Sequence, residues 1–278
     1  MSPSARSQEA PRRGLLRRVR DMLAEPRLAG IDIDSSDLIA IHRQILLEKA
    51  MLCGVFRELY TTCMDLDAKF FFAAGIQVEI GAGSSLFKHF FPAVISSDIK
   101  PAPHLDMVVD AQDMPFEDGS VRGIYGINCF HHFPQPEQFL RELDRVLAPG
   151  GGCVIIDPHY GAIATRFYER LFESEHFNKA QLGWTADSIT VMRGANQALS
   201  YIVLVRDRDL FRSRFPTLEI VYEKPMRNYA RYVLSGGLNF RSLLPGFMEP
   251  AIRLAEYCLV PLAPVLALHH VVVLRKRT

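Results

Sequence analysis

The chain has 278 residues, of which 49% are hydrophobic and 23% are charged. This composition is typical of a globular protein with a substantial core, and it excludes wholesale disorder, collagen-like repeats and a disulfide-stabilised miniprotein. The net charge of +1 gives no overall field that would draw the chain onto nucleic acid. The five cysteines include no CxxC pair, so we expect free thiols and a cytoplasmic location.

Residues 1–34 predict a basic flexible arm, because they are rich in Arg, Ser, Pro and Gly. A run from Leu15 to Leu23 sets arginines beside apolar residues at helical spacing. The arm is therefore expected either to cap the domain as a solvated helix or to contact an anionic membrane surface. Acidic residues interrupt the run, so it does not predict a secretory signal. The apolar stretch 258–274 is shorter than the ~20 residues that span a bilayer.

The rest of the chain predicts a helical segment followed by an α/β domain. Residues 35–70 have the apolar periodicity of one or two helices, which we expect to form a cap. From Ile76, short β-rich runs alternate with helical segments such as Leu86–Phe90 and Pro136–Leu147, as a parallel sheet with crossover helices requires. The predicted strands are Ile76–Ile80, Val94–Ser97, Met107–Val109, Gly123–Asn128, Cys153–Asp157, Leu218–Glu223 and His269–Leu274.

A glycine turn follows the first predicted strand, in the order Glu79-Ile80-Gly81-Ala82-Gly83. Glycines in such a turn allow positive φ and let a ligand approach the backbone closely. A dinucleotide fingerprint would need a third glycine where this chain has Leu86. The acidic Glu79 suits a cationic ligand better than a pyrophosphate, so the turn does not favour NAD.

Two carboxylates at the ends of the next strands point to a nucleoside. Asp98 ends the second predicted strand, where doubly wound folds hold ribose hydroxyls. Asp110 follows the third, where a carboxylate can accept a hydrogen bond from an exocyclic amine such as that of adenine. The segment Ile127–Phe133 lies at the carboxyl end of the fourth, beside the ligand crevice of open α/β sheets.

Together these motifs resemble class I S-adenosylmethionine (SAM)-dependent methyltransferases, in particular the type 11-like group. That group has a D/E-x-G-x-G turn, a D-A-x-x-(L/M)-P-F segment and an R-V-L-x-P-G-G run, which this chain shows at Glu79–Gly83, Asp110–Phe116 and Arg145–Gly151. The resemblance covers about residues 70–160. Residues 160–278 resemble an insertion-bearing bacterial branch whose substrate is unknown.

The resemblance implies the fold and the cofactor. The fold would be Rossmann-like and doubly wound, with a seven-strand sheet whose last strand is antiparallel, an N-terminal helical cap and helical insertions near strand six. Residues 71–278 would form the SAM-binding domain, with lid insertions at about 160–217 and 226–266. The cofactor would be SAM and its product S-adenosylhomocysteine.

The resemblance also assigns cofactor contacts residue by residue. Glu79 would orient the ammonium group through water, and the glycine turn would pack against the methionine part. Asp98 would hold the ribose hydroxyls, and Asp110 with Ala111 the adenine edge. Asn128 would lie near the sulfonium through its backbone. The implied cofactor-binding residues are Glu79, Gly81, Ala82, Gly83, Asp98, Asp110, Ala111 and Asn128.

The candidate catalytic residues are histidines that follow the fourth and fifth strands. His131 and His132 are candidates for the base that takes a proton from an oxygen acceptor, with packing under the loop as the alternative. His159 or Tyr160 is a second candidate for base or substrate clamp, with a structural turn as the alternative. No H-E-x-x-H motif or carboxylate triad accompanies the histidine pair, so no metal site is expected.

The insertions leave several interpretations open. The first carries polar and aromatic residues that either line a polar substrate pocket or form a helical lid with surface ion pairs. The apolar 243–268 segment would receive a hydrophobic substrate, dock on a membrane, cover the sheet edge or form a homodimer contact. The polar and aromatic residues of the first insertion are Glu173, Glu175, His176, Trp184, Asn196, Tyr201, Arg206, Asp207 and Arg208.

The predicted function is SAM-dependent methylation of a small molecule, most simply at an oxygen of a sugar, polyketide or lipid-like metabolite. The alternatives are carbon or nitrogen methylation, or a SAM-fold protein with a binding, regulatory or non-methyl-transfer role. Nucleic acid is not the expected partner, because no N-P-P-Y motif follows strand four. Only the arginines of the arm would favour it.

Overall fold

A seven-stranded sheet forms the centre of the protein, whose computed structural model describes residues 20–171, 175–185 and 195–278. The strand order is β3-β2-β1-β4-β5-β7-β6. The first five strands run parallel, whereas β7 is antiparallel to both β5 and β6. The predicted fold class, including the antiparallel last strand, is confirmed. The strands are β1 Ile76–Ile80, β2 Ile95–Asp98, β3 Met107–Val108, β4 Val121–Ile127, β5 Leu147–Pro158, β6 Leu218–Pro225 and β7 His269–Lys276.

Two helices precede the sheet, where the sequence predicted one or two. The first begins after Ser35, whose hydroxyl accepts from the Asp37 N–H over 3.1 Å. The helices separate at Lys49, which has ψ 89° and donates from Nζ to the carbonyl of Gly237 over 2.9 Å. The helices are α1 Ser36–Glu48, α2 Ala50–Phe70, α3 Phe87–Phe90, α4 Pro136–Val146, α5 Ala162–Leu171, α6 Leu199–Tyr201, α7 Arg208–Arg214, α8 Tyr229–Leu234, α9 Glu249–Cys258 and α10 Ala263–Leu266.

The start of β5 corrects one sequence prediction. The glycines at 150–152 were expected to separate α4 from a strand beginning at Cys153, but β5 begins at Leu147 and contains all three. A β-carbon on Gly152 would lie 2.1 Å from Cε1 of Phe71 and 2.3 Å from the carbonyl oxygen of Leu274. Gly152 therefore permits close packing within the strand, and the helix has already ended at Val146.

The sheet buries a hydrophobic layer on each face. Successive strand residues point to opposite faces, so Ile124 packs in the layer that contains Phe139 of α4, and Tyr125 packs in the layer that contains Leu59 of α2. The Tyr125 hydroxyl donates to the carboxylate of Asp67 over 2.7 Å, which ties α2 to the middle of the sheet. The hydrogen bond thereby helps to fix the position of α2 next to the amino ends of β1 and β4.

A buried arginine joins the second insertion to α2. Arg231 of α8 is 1% exposed and contacts three carboxylates, those of Glu58 in α2 and of Glu249 and Glu256 in α9. Breaking such a buried cluster is costly because it leaves charges without partners. Buried ion pairs therefore hold helices α8 and α9 in place against α2.

The predicted arm lies mainly outside the described residues, which begin at Arg20. The residues outside them include Leu15, Arg12, Arg13, Arg17 and Arg18. Within the described part, Arg20 pairs with Asp21 over 3.1 Å. None of the helices in the described ranges combines the length and the apolar character needed to cross a membrane.

Candidate cofactor and acceptor site

One cavity of about 410 Å³ opens at the carboxyl ends of β1, β2 and β4. Helices α1 and α2 cover part of it with apolar and aromatic side chains, including Leu38, Phe56 and Tyr60. All the residues that the resemblance assigned to the cofactor line this cavity, namely Glu79, Gly81, Ala82, Gly83, Asp98, Asp110, Ala111 and Asn128.

The glycine turn after β1 brings the backbone against the cavity. Gly81 and Gly83 have φ values of 61° and 48°, in the left-handed region that favours glycine. The N–H of Gly83 donates to Oδ2 of Asp98 over 2.8 Å, and the N–H of Ala82 donates to the carbonyl of Ser97 over 3.0 Å. The turn is thus held against the end of β2, and both of its glycines line the cavity.

Glu79 supplies a buried carboxyl group at the cavity wall. Its residue is 2% exposed, and its Oε2 accepts from the Ser96 hydroxyl over 3.1 Å. Burial raises the pKa of Glu79 to about 7. A cationic ligand would favour the ionised carboxylate, so this group suits an ammonium.

Two further carboxylates are oriented by backbone hydrogen bonds. Besides Gly83, the N–H of Lys100 binds Asp98, donating to Oδ1 over 2.9 Å. Oδ1 of Asp110 accepts from the N–H of Gln112 over 2.8 Å. Because each carboxylate oxygen has two lone pairs, both groups keep acceptor capacity for hydroxyls or an amine in the cavity.

The backbone of Asn128 has a conformation that is unusual for a residue other than glycine. It is the non-glycine residue with positive φ, at 54°, in the described chain. Its N–H donates to the carbonyl of Ile156 over 2.8 Å, and its buried Oδ1 has no hydrogen-bond partner in the described residues. Strained backbones are typical of functional sites, and Asn128 is one of the residues that line the cavity.

The two candidate bases of the loop after β4 meet a carboxylate from the first insertion. His131 is 3% exposed, and its Nδ1 lies 2.9 Å from Oδ1 of Asp157. Nε2 of His131 lies 3.6 Å from Oε2 of Glu175, and Nε2 of His132 lies 3.9 Å from Oε1 of the same residue. His131, His132 and Glu175 all line the cavity.

The ionic contacts among His131, Asp157 and Glu175 strongly shift the pKa values of His131 and Glu175. Burial alone would lower the pKa of His131, but the attraction of Asp157 and Glu175 outweighs it and raises the pKa to about 10. Burial alone would raise the pKa of Glu175, but the contact with His131 lowers it to about 2. At neutral pH, in the absence of a ligand, a positive imidazolium therefore lies between two carboxylates.

His159 is placed differently from the other two candidates. It is 4% exposed and is not among the residues that line the cavity. Its Nε2 lies 3.2 Å from the carbonyl oxygen of Pro264, and burial lowers its pKa. The hydroxyl of the neighbouring Tyr160 donates to Glu223 over 3.0 Å. This geometry supports the structural-turn alternative for the pair.

The polar residues of the first insertion divide between the two interpretations. Glu175 lines the cavity, whereas Trp184 donates to Asp207 over 3.0 Å and Arg206 pairs with the same carboxylate over 2.8 Å. His176 and Asn196 are not among the cavity residues. Glu173 lies outside the described residues.

Three lining residues were not singled out from the sequence. Gln197 is 3% exposed, with Oε1 unpartnered in the described residues, and its Nε2 donates to Glu175. Tyr232 of α8 and Tyr60 of α2 also line the cavity. Gln197 lies in a turn and the two tyrosines lie on separate helices, and none of the three carries a motif, so only the tertiary structure brings them together.

The sheet order and the carboxylates around the glycine turn agree with the resemblance to class I SAM-dependent methyltransferases. The residues fit SAM, because a buried carboxyl group could face its cationic end and two oriented carboxylates could receive its ribose and adenine. Residues 79–155 match the model of the family described as methyltransferase domain. The resemblance is confirmed for this stretch, and SAM is the cofactor of the class.

Relatives share short segments with the chain. Chloroplastic tocopherol O-methyltransferase of Arabidopsis thaliana is 43% identical over 49 residues, which is 18% of this chain and 14% of that protein. Sarcosine/dimethylglycine N-methyltransferase of Halorhodospira halochloris is 42% identical over 57 residues, or 20% of each chain. The chain thus spans about a fifth or less of the length of these curated relatives.

A solved structure is similar over a longer stretch at low identity. It is a SAM-dependent methyltransferase of Thermotoga maritima, described as a possible histamine N-methyltransferase. It is 16% identical, with a TM-score of 0.49, and the match covers 86% of this chain and 99% of the other.

Proposed function

We propose that the protein transfers a methyl group from SAM to a hydroxyl oxygen of a small molecule with an apolar body. The observation that carries the proposal is one cavity lined both by the eight cofactor-motif residues and by His131, His132 and Glu175. A methyl donor and a group able to accept a proton would then lie within the same enclosed space.

The chain's own residues would hold the cofactor. Glu79 would attract the ammonium group, Asp98 would accept hydrogen bonds from the ribose, and Asp110 with Ala111 would contact the adenine edge. The backbone of Asn128 would lie near the sulfonium. The cofactor supplies an electrophilic methyl carbon on a positively charged sulfur, which keeps the bonding electron pair when the carbon bonds to the acceptor oxygen.

The acceptor end of the cavity combines apolar walls with one polar group. Phe133, Tyr232 and Leu238 are among its lining residues, which suits an apolar body such as that of a polyketide or lipid-like metabolite. The acceptor hydroxyl would lose its proton to His132, since His131 is already protonated at neutral pH and the lowered pKa of Glu175 makes its carboxylate a weak base. Alignment of donor and acceptor would contribute most of the rate enhancement, at best about 7–11 kcal/mol.

Both insertions would act as the lid over this end. Glu175 and Gln197 come from the first, and Tyr232 and Leu238 from the second, and all four line the cavity. A lid would exclude water from the reacting atoms.

Nitrogen methylation is the second candidate function. The carboxylate of Glu175 is ionised at neutral pH, since the contact with His131 lowers its pKa to about 2. A carboxylate in this position would also attract a cationic amine. A screen of acceptors, with S-adenosylhomocysteine release as the readout, would separate hydroxyl from amine substrates.

The first test is calorimetric titration of SAM and S-adenosylhomocysteine into the wild type and an Asp98→Ala variant. Wild-type binding in the micromolar range, about −8 kcal/mol, is expected, with affinity at least about tenfold weaker in the variant because the ribose loses a charged acceptor. Asp65→Ala, at an exposed position of α2, is the matched control and should bind as the wild type does. Folded wild type that binds neither ligand would refute the proposed function.

A further inference from the structure

We propose that His131, His132 and Glu175 bind a divalent transition-metal ion at the acceptor end of the cavity. The binding site itself depends only on these side chains. Its chemical use, which is to activate the acceptor hydroxyl, rests on the proposed function.

The three side chains converge as ligands of one ion would. One nitrogen of each histidine and one oxygen of Glu175 all lie within 4.8 Å of one another. Nε2 of His131 is 3.6 Å from the Glu175 carboxylate, and Nε2 of His132 is 3.9 Å from it. Two ligand atoms at ordinary zinc distances in a tetrahedral site stand roughly 3.4 Å apart, so small side-chain movements would complete the arrangement.

A second layer of side chains orients these ligands. Metal-binding histidines typically donate their other ring N–H to a carboxylate, which fixes the tautomer and leaves the opposite nitrogen for the ion. Asp157 is fully buried and lies 2.9 Å from Nδ1 of His131, on the side of the ring away from Glu175. Gln197 donates to the Glu175 carboxylate and orients it in the same way.

Unsatisfied polar atoms at this place point independently to a ligand. Gln197 is one of the cavity residues and is 3% exposed, and its buried Oε1 has no hydrogen-bond partner in the described residues. Oδ2 of Asp157 is likewise buried and unpartnered there. Buried polar atoms without partners are uncommon, and a hydrated cation would supply water molecules that can donate to them.

The ligand types select the class of ion. Two imidazoles and one carboxylate favour zinc, iron, cobalt or nickel over magnesium and calcium, which prefer oxygen ligands. Three protein ligands would leave coordination positions open for an acceptor, and all three of these residues line the cavity. With the ion bound, His132 would be a ligand instead of a base, and the cation would lower the pKa of an acceptor hydroxyl that reaches it. The proton of that hydroxyl would then pass to water.

The test measures metal binding without SAM. Wild type treated with a chelator and dialysed would be titrated with Co²⁺, followed by visible absorption, and with Zn²⁺, followed by calorimetry. One ion per chain is expected. Affinity should fall at least about tenfold in His132→Asn and in Glu175→Gln, and about 10–100-fold in Asp157→Asn, where the orienting carboxylate becomes neutral.

Two controls carry the same chemical changes at exposed positions outside the cavity. His89→Asn in α3 and Glu169→Gln in α5 should bind the ions as the wild type does. A SAM affinity and a melting temperature equal to those of the wild type would show that the site variants are folded. No saturable binding by the wild type, or equal binding by wild type and all site variants, would refute the metal site.

Failure of the metal proposal can be distinguished from failure of the proposed function. Metal binding without SAM binding would leave the metal site and overturn the methyltransferase proposal. SAM binding and methyl transfer that ignore both chelator and added ion would overturn the chemical use of the metal and leave the methyltransferase proposal standing.

Discussion

Gly81 packs against Cys129 so closely that a β-carbon on Gly81 would lie 2.5 Å from Cβ of Cys129. The contact joins the turn after β1 to the loop after β4, the two segments that form the floor of the cofactor cavity. The positive φ of 61° at Gly81 adds a second reason why this position requires glycine.

Gly81→Ala should therefore lower the free energy of unfolding by about 3 kcal/mol, from the unfavourable φ and from overpacking. Cofactor affinity should fall with it, because the turn must shift. Gly30→Ala is the matched control: Gly30 has φ 79° but no atom within 4 Å of the added carbon, so only about 1 kcal/mol should be lost. Urea denaturation measures both, and equal losses would show that the Cys129 contact is unimportant.

Cofactor affinity should increase between about pH 5.5 and about pH 7.5. Burial raises the pKa of Glu79 to about 7, so the carboxyl becomes ionised across this range and then attracts the cofactor's ammonium. The expected change in Kd is on the order of tenfold. The range ends below the titration of an α-amino group, near about 8.

In calorimetry over that range, Glu79→Gln should bind more weakly and show little dependence on pH. Glu117→Gln, at an exposed position, should keep the wild-type dependence. A wild-type affinity that stays constant with pH would contradict the role of Glu79.

Arg231→Met should destabilise the protein by about 3–5 kcal/mol, because it leaves the buried carboxylate of Glu256 without its partner. The two side chains are each 1% exposed and lie 2.5 Å apart. Arg253→Met removes an arginine that is 60% exposed and 3.7 Å from Glu249, so it should cost no more than about 1 kcal/mol. Similar denaturation midpoints for the two variants would argue against a structural role for the buried cluster.

Acid should destabilise the protein through three neutral histidines, of which His269 and His270 are buried and His42 is partly buried. Burial lowers the pKa to about 4 for His42 and His269 and to about 3 for His270, where the nearby His159 and His269 add to the effect. The unfolded chain takes up protons near pH 6.5 while the folded chain does not, so this stability is present above about pH 6.5 and is lost as the pH falls towards 4.

Each of these histidines should contribute about 2 kcal/mol to the difference in unfolding free energy between about pH 7 and about pH 5. In His270→Gln the difference should shrink by that amount, whereas the exposed His89→Gln should leave it unchanged. Urea denaturation at the two pH values measures it. A difference that is the same in wild type and His270→Gln would refute the assignment.

Much of the α/β core could be predicted because its signals are local. The strand at Ile76–Ile80 matches the prediction residue for residue, and the helix that begins at Pro136 ends one residue earlier than predicted. The start of β5 was misplaced because a proline-glycine run indicates a turn, and only the packing of Gly152 against Phe71 shows why those glycines belong to a strand.

The sequence by itself predicted the residues of the proposed cofactor end of the cavity, since Glu79 and Asp98 lie at the ends of β1 and β2, Asp110 follows β3, and parallel strands bring their carboxyl ends to one edge. Only the tertiary structure decided the acceptor end. Glu175 reaches the two histidines from an insertion, and Gln197 and Tyr232 join it from other segments. Contacts between segments far apart in the chain depend on how helices pack over the sheet, and no local pattern of residues encodes that packing.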